Sequence, residues 1–206
     1  MVGSLEPYIG CFSQRRIREY LPGSSQRLFE HFRAVAQNTS LPVILYDIPV
    51  RSGRKIDSEV LLRLATETSN IVAVKDAAGN PAETAKVIRD APAGFEVYSG
   101  DDGLTLPLLA LGAVGVISVA AHWCAGEHVA MFDAWEAGDA ALAQKINTKL
   151  LESFDFESGD DAPNPVPTKA MLRTIGLRVG EPRLPMGPTP EGLEDRAREV
   201  YARLKK

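Results

Sequence analysis

Four short apolar runs recur along the middle of the chain, each leading into a stretch with helical periodicity. They are Val43-Ile44-Leu45-Tyr46, Ile71-Val72-Ala73-Val74, Phe95-Glu96-Val97-Tyr98 and Val114-Gly115-Val116-Ile117-Ser118-Val119. Three are almost continuously apolar, as strands covered on both faces must be. Onsets near residues 43, 71, 95 and 114 set a pitch of roughly 20 to 28 residues, enough for a crossover helix between parallel strands. The pattern predicts an α/β fold built on a parallel sheet.

The intervening segments support this reading. Residues 58–68 place Val60, Leu61, Leu64 and Ala65 on one stripe, and 25–38 do the same with Leu28, Phe29, Phe32, Val35 and Ala36; such stripes mark helices that bury one face. Asn80-Pro81-Ala82-Glu83 combines an N-cap, an N1 proline and a Glu at N3. A further helix is expected over 103–111. Beyond the last strand the periodicity is helical only, over about 125–137, 139–154, 167–176 and 190–204, the last opened by Thr189-Pro190-Glu191. The stretch 153–167, with three prolines, reads as a loop. The organisation expected is therefore an atypical N-terminus (1–24, with the cluster Arg15, Arg16, Arg18), a strand–helix half (25–124) and a helical region (125–206).

Composition narrows the function classes. A net charge of −4 over 206 residues gives no electrostatic reason to expect nucleic acid or an anionic membrane as partner. No segment has the roughly 18 apolar residues of a membrane span, and the first dozen residues lack a signal-peptide pattern. Cys11 and Cys124 make no disulfide framework, so a cytoplasmic protein is expected. His122 and His128 have no partner at ligand spacing, so no metal site is expected. Gly112-Ala113-Val114-Gly115 leads into a strand rather than opening a helix, unlike a phosphate loop.

Chemistry gathers where the strands end. In parallel α/β folds, sites are built at the carboxyl edge of the sheet. Tyr46, Lys75 and Gly100 all fall at or just past that edge, and Arg51 follows five residues after Tyr46. A lysine closing a buried strand is expected to have its ammonium form disfavoured, which frees a nucleophilic amine able to form a Schiff base with a carbonyl. Tyr46 suits proton relay, and Arg51 suits bidentate binding of a carboxylate. Gly100 leaves room for close approach to the backbone, and Asp101 and Asp102 suit capping of the helix that follows. Taken singly, each residue also has an ordinary structural reading: a packed tyrosine, a solvated arginine, a lysine reaching for water.

The runs at 44–53 (Ile-Leu-Tyr-Asp-Ile-Pro-Val-Arg-Ser-Gly), 71–80 (Ile-Val-Ala-Val-Lys-Asp-Ala-Ala-Gly-Asn), 97–102 (Val-Tyr-Ser-Gly-Asp-Asp) and 112–122 resemble the dihydrodipicolinate synthase group. These are pyruvate-dependent class I aldolases of the N-acetylneuraminate lyase superfamily. Val-Gly-Glu-Pro-Arg-Leu-Pro at 179–185 resembles the group's C-terminal signature, so the likeness runs from about Ser25 to the end. The resemblance implies a TIM (β/α)8 barrel and a lyase that needs no metal or organic cofactor. It implies that Lys75 forms the Schiff base with pyruvate, that Tyr46 shuttles protons, and that the backbones of Gly100 and Ile117 face pyruvate and lysine. Arg51 is implied to bind the carboxylate of aspartate semialdehyde, in a step of lysine and diaminopimelate biosynthesis. A homo-oligomer, dimer or tetramer, is implied as well.

The same likeness marks what these residues do not contain. Clear strands exist for only the second half of such a barrel, which makes the chain an N-terminally truncated member. The group's Gly-Thr-Thr-Gly-Glu segment has no counterpart, for no Thr-Thr occurs in the chain, and Tyr20 is the one candidate for a tyrosine donated to a neighbouring subunit. Three readings stand: the synthase, with turnover in question; a non-catalytic half-barrel remnant or assembly partner of a full-length paralogue; and another 2-keto-acid aldolase of the superfamily. Arg51 favours the first over the third. The half-barrel is expected to carry two open edges and an uncovered inner face of Val, Ile and Leu, to be unstable alone unless two copies pair, and to show no lysine inhibition.

Overall fold

The computed structural model describes residues 25–159 and 162–206; the readings of residues 1–24, with Tyr20 and the arginine cluster, lie outside them. The chain divides into two compact units that meet in sequence between Ile117 and Ser118.

The first unit opens with α1 (Ser25–Gln37), then β1 (Val43–Asp47), a four-residue helix α2 (Pro49–Ser52), α3 (Ser58–Glu67), β2 (Ile71–Asp76), α4 (Pro81–Asp90), β3 (Glu96–Ser99), α5 (Thr105–Leu111) and β4 (Gly115–Val116). The strands form one parallel sheet in the order β1-β2-β3-β4. Leu45, Val74 and Val97 lie abreast in register. They form one core with Leu28, Phe29, Val60, Leu64, Val87 and Leu108 from the helices, so this face of the sheet is the one the helices cover. Alternation along a strand sends Ile44, Tyr46, Ala73, Lys75, Glu96 and Tyr98 to the other face. That face is less apolar than the sequence suggests, because Leu45, Val74 and Val97 are spent on the helix side.

Local signals account for the helix boundaries. The Asn80 side chain accepts from the Glu83 amide at 3.2 Å. Glu83 does not reach back to complete a capping box; it accepts from Ser58 Oγ at 3.0 Å and pairs with Lys86. Asn70 Nδ2 lies 2.9, 3.1 and 3.2 Å from the carbonyls of Ala36, Thr39 and Leu41 and so ties the end of α1 to the start of β2. The Arg63 guanidinium covers the Phe29 ring at 3.8 Å.

Several boundaries differ from expectation for identifiable reasons. The fourth strand is only two residues long because β3 ends at Ser99; single bonds from Val114 N to Val97 O and from Ile117 N to Ser99 O, both 2.9 Å, extend the pairing on either side. The stretch 49–52, which with Pro49 and Gly53 at its ends reads as a loop, is helical: the Arg51 and Ser52 amides close back on Ile48 and the Gly53 amide on Pro49.

The second unit contains α6 (Ala121–Glu136), α7 (Ala140–Ser158), α8 (Val166–Thr174) and α9 (Leu193–Leu204), around Met131, Leu150, Phe154, Phe156, Met171 and Val200. Helix α6 begins four residues earlier than expected, with Ser118 Oγ accepting from the Ala121 amide. Helix α7 continues to Ser158 because Phe154 and Phe156 are buried and Ser153 receives the Trp123 indole N–H at 3.2 Å. Helix α9 starts at Leu193 rather than 190: the Thr189 hydroxyl is engaged by Glu181 and Arg173, and Gly192, with a φ of 78°, makes the turn into the helix. His128 is buried in α6, with Nδ1 3.1 Å from the Cys124 carbonyl. Among the described residues no helix is long and apolar enough to cross a membrane, and no group of three His, Cys, Asp or Glu is disposed to hold a metal.

Two stability predictions follow from the helix-covered face. Leu64 is fully buried between helix and sheet, so Leu64→Ala lowers the unfolding free energy by about 2–5 kcal/mol in urea titration. Asp47 is buried on the same face, and burial pushes its carboxyl up from 3.8 to about 6. Between those values the folded state holds a proton that the unfolded chain has shed. Stability contributed by this group is therefore complete below about pH 4 and is lost as pH rises through about 6. Wild type should lose about 3 kcal/mol relative to Asp47→Asn across that window. A flat difference between the two proteins would refute the assignment.

Candidate active site

The parallel register sets the site. Tyr46 pairs with Lys75, Lys75 with Tyr98, and Tyr98 with Gly115, so one row crosses four strands on the face opposite the helices. In this row the Lys75 Nζ stands 4.2 Å from the centroid of the Tyr46 ring. An amine and a phenol thus face each other from adjacent strands, each held by the sheet ladder rather than by a loop. Lys75 is half-buried, less enclosed than a strand-end lysine in this sequence context suggests.

Gly100 stands beside the lysine for a steric reason. A Cβ there would lie 2.9 Å from the Lys75 Cγ, 2.9 Å from the Ala77 Cβ and 3.1 Å from the Asp76 carbonyl carbon. The absent side chain makes room for the lysine stem and the exit of β2, not only for a ligand. The Gly100 amide donates to Asp76 O at 2.7 Å and the Ile117 amide to Ser99 O at 2.9 Å. Any contact a ligand makes to these two backbones must therefore use their carbonyls.

Arg51 sits on α2, just past the carboxyl end of β1, and is exposed. It shares the strand-end edge with Tyr46 and Lys75 but is carried by a separate structure, the connection from β1 to α3. Asp101 caps the turn after β3 by accepting from the Gly103 amide at 2.9 Å, as its position suggests.

Sequence reasoning passed over three residues. Tyr98 flanks Lys75 on the side opposite Tyr46; its hydroxyl donates to Glu96 Oε2 at 2.6 Å, and burial together with that bond pushes the phenol up to about 12. Gly115 admits the Tyr98 ring, since a Cβ there would come within 3.0 Å of Cδ1. Asp47 accepts from the Ile56 amide at 3.0 Å. Counting by two back from Lys75's register partner identifies Tyr98 and Glu96 as one face, but only once the register is known. The arrangement as a whole offers a nucleophilic amine, a proton-bearing phenol beside it, and a cation at the same edge. It suits covalent capture of a keto acid.

Residues 19–205 match the model of the dihydrodipicolinate synthetase family. The 4-hydroxy-tetrahydrodipicolinate synthase 1 of Halalkalibacterium halodurans is 46% identical over 169 residues, 82% of this chain and 56% of the relative. That of Bacillus subtilis is 41% identical over 172 residues, 84% of this chain and 59% of the relative. The crystal structure of a dihydrodipicolinate synthase from Bacillus anthracis superposes with a TM-score of 0.83 at 40% identity, covering 89% of this chain and 62% of that one. The enzyme from Cyanidioschyzon merolae, solved with lysine bound, gives 0.85 at 37% identity, covering 90% of this chain and 62% of that one. The chain spans less than two thirds of the length of these relatives, and its sheet and covering helices are part of their TIM-barrel fold. The chain belongs to the dihydrodipicolinate synthetase family.

Proposed function

We propose that these residues carry the pyruvate-capturing half of a class I aldolase of the 4-hydroxy-tetrahydrodipicolinate synthase type. The observation that carries the proposal is the pairing of Lys75 and Tyr46, register partners with the amine 4.2 Å from the ring centroid. The unprotonated Nζ attacks the keto carbon of pyruvate, forming a C–N bond while the carbonyl electron pair moves to oxygen and takes up a proton. Loss of water leaves an iminium, which is electron-poor enough to release a methyl proton and become an enamine nucleophile. The Tyr46 phenol is the group at hand to carry those protons. Arg51 takes the carboxylate of aspartate semialdehyde, whose aldehyde carbon the enamine attacks. The names of the relatives support a 4-hydroxy-tetrahydrodipicolinate synthase reaction; the two substrates, a place in lysine and diaminopimelate synthesis and a homo-oligomer are parts of the same proposal.

Proton relay beyond Tyr46 needs a partner that these residues do not include, since no Thr-Thr pair occurs in the chain. Capture of pyruvate, in contrast, requires only groups present in the row. The first test is therefore borohydride trapping with pyruvate, read by intact mass. Wild type gains one reduced pyruvate adduct, Lys75→Ala gains none, and Tyr46→Phe forms it about 10²- to 10⁴-fold more slowly. Folded wild-type protein that forms no adduct would refute capture and favour the non-catalytic reading.

Gly100→Ala provides an independent check of the geometry. Its new methyl displaces the lysine stem, and a shift near 1 Å in a reacting group is worth on the order of 100-fold in rate. Trapping should slow by about that factor while circular dichroism stays unchanged; unaltered trapping would show that Gly100 does not set the position of Lys75.

A further inference from the structure

Arg51 lies on an arch that leaves β1 at Asp47 and returns to the core at Ile56. Within it, the Arg51 and Ser52 amides both donate to Ile48 O at 3.0 Å, and the Gly53 amide donates to Pro49 O at 2.7 Å. Gly53 reverses the chain with a φ of 77°, a left-handed conformation that glycine adopts without strain. The Ser52 hydroxyl lies 2.9 Å from Ile48 O and 2.8 Å from Arg54 O and donates its proton to either. These bonds shape the arch, yet none of them fastens its far leg to the sheet.

Two contacts at Ile56 do so. Its side chain is fully buried in the core. Its amide donates to Asp47 Oδ1 at 3.0 Å, a bond that spans nine residues and has Arg51 near its middle. Asp47 itself cannot drift, because its carbonyl accepts from the Ala77 amide at 2.8 Å and its residue is 3% exposed. A buried carboxylate is costly unless it is bonded, and the Ile56 amide supplies that bond. We propose that Asp47 is a positioning residue for Arg51: it latches both legs of the arch together and thereby fixes the guanidinium relative to the Tyr46–Lys75 row. The ligand named for Arg51 rests on the aldolase reading above; the latch itself does not.

The charged groups around the latch are Lys55, whose Nζ is 4.0 Å from Asp47 Oδ2, together with Asp76 and Asp57. Lys55 attracts the carboxylate and the two aspartates repel it. Ionisation strengthens the bond to the Ile56 amide by making it charge-assisted, while burial opposes ionisation. Asp57 is engaged elsewhere, by Ser25 Oγ at 2.8 Å and Arg54 at 3.1 Å, which holds the end of the arch just beyond Ile56.

The test compares wild type, Asp47→Asn, Asp47→Ala and Arg51→Ala. Asparagine keeps an acceptor for the Ile56 amide; alanine removes it. Amide hydrogen exchange of residues 48–56, corrected to a common intrinsic rate, should quicken by about tenfold in Asp47→Ala and by less than threefold in Asp47→Asn, with the rest of the sheet unchanged. Pyruvate trapping at Lys75 should stay within twofold of wild type in both. The Kd for aspartate semialdehyde, titrated onto the pyruvate-loaded protein, should rise about tenfold in Asp47→Ala, in the direction of Arg51→Ala, and return toward wild type in Asp47→Asn. Unchanged exchange in Asp47→Ala would overturn the latch, and a fall in pyruvate trapping parallel to the loss in aldehyde affinity would overturn its connection to Arg51. Wild-type protein that traps no pyruvate would sink the aldolase reading and its ligand for Arg51, and exchange alone would then decide the latch.

Discussion

The site depends on the register between β1, β2 and β3. Because side chains alternate across a strand, the pairing that sets Tyr46, Lys75 and Tyr98 abreast also sets Leu45, Val74 and Val97 abreast on the opposite face. A slip of one residue would exchange the two sets, sending a lysine and two tyrosines under the helices and three apolar side chains to the other face. Core burial and site assembly are therefore one decision, made by the same ladder. The one irregularity respects it: the pairing shifts between Val43 and Ile44, which allows Ile71 to join the core although it lies three residues from Val74. Past that shift the alternation is regular through Lys75.

Crowding in the row is relieved by glycine twice. Lys75 needs Gly100 and Tyr98 needs Gly115, each on a neighbouring strand or its exit, and each with a phantom methyl at about 3 Å from the side chain it accommodates. This gives the two glycines a packing role that does not depend on unusual backbone angles. It also explains how two aromatic rings and a lysine fit side by side on adjacent strands, whose spacing is only about 4.8 Å.

Much of this was legible in the residues. Apolar runs of four to six residues, repeated at a crossover pitch, are a strong signal for parallel strands, and the chemistry at 46, 75 and 100 falls at their carboxyl ends by simple counting. What counting missed is tertiary. Tyr98 and Glu96 look like ordinary strand residues until the register sets them beside Lys75. The inner face was expected to be Val, Ile and Leu because composition along a strand does not reveal which residues each face receives. Asp47 hid in a motif whose neighbours, Tyr46 and Arg51, carry the more familiar chemistry; the clue was a carboxylate closing an apolar run. Thr189-Pro190-Glu191 is a sound start signal on local grounds, but Arg173 and Glu181 claim the threonine that would have capped the helix.

The two halves of the site are held by different kinds of structure. Lys75 and Tyr46 are fixed by a sheet whose bonds form and break together, so their separation changes only when the sheet does. Arg51 rides on an arch shaped by short-range bonds and closed at Ile56 by a buried side chain and a bond to the Asp47 carboxylate. Such segments sit at the low end of the range of local stabilities and open without global unfolding. An enzyme that captures one substrate covalently before admitting a second benefits from this division. On the proposed aldolase reading, Lys75 must be in place at all times, while Arg51, as the group that selects the incoming carboxylate, has to yield for entry and departure. The cost appears in Asp47, whose ionisation is opposed by its own burial. The carboxylate destabilises the folded chain above its pKa while holding the arch more firmly, so global stability and local order at this site run in opposite directions with pH.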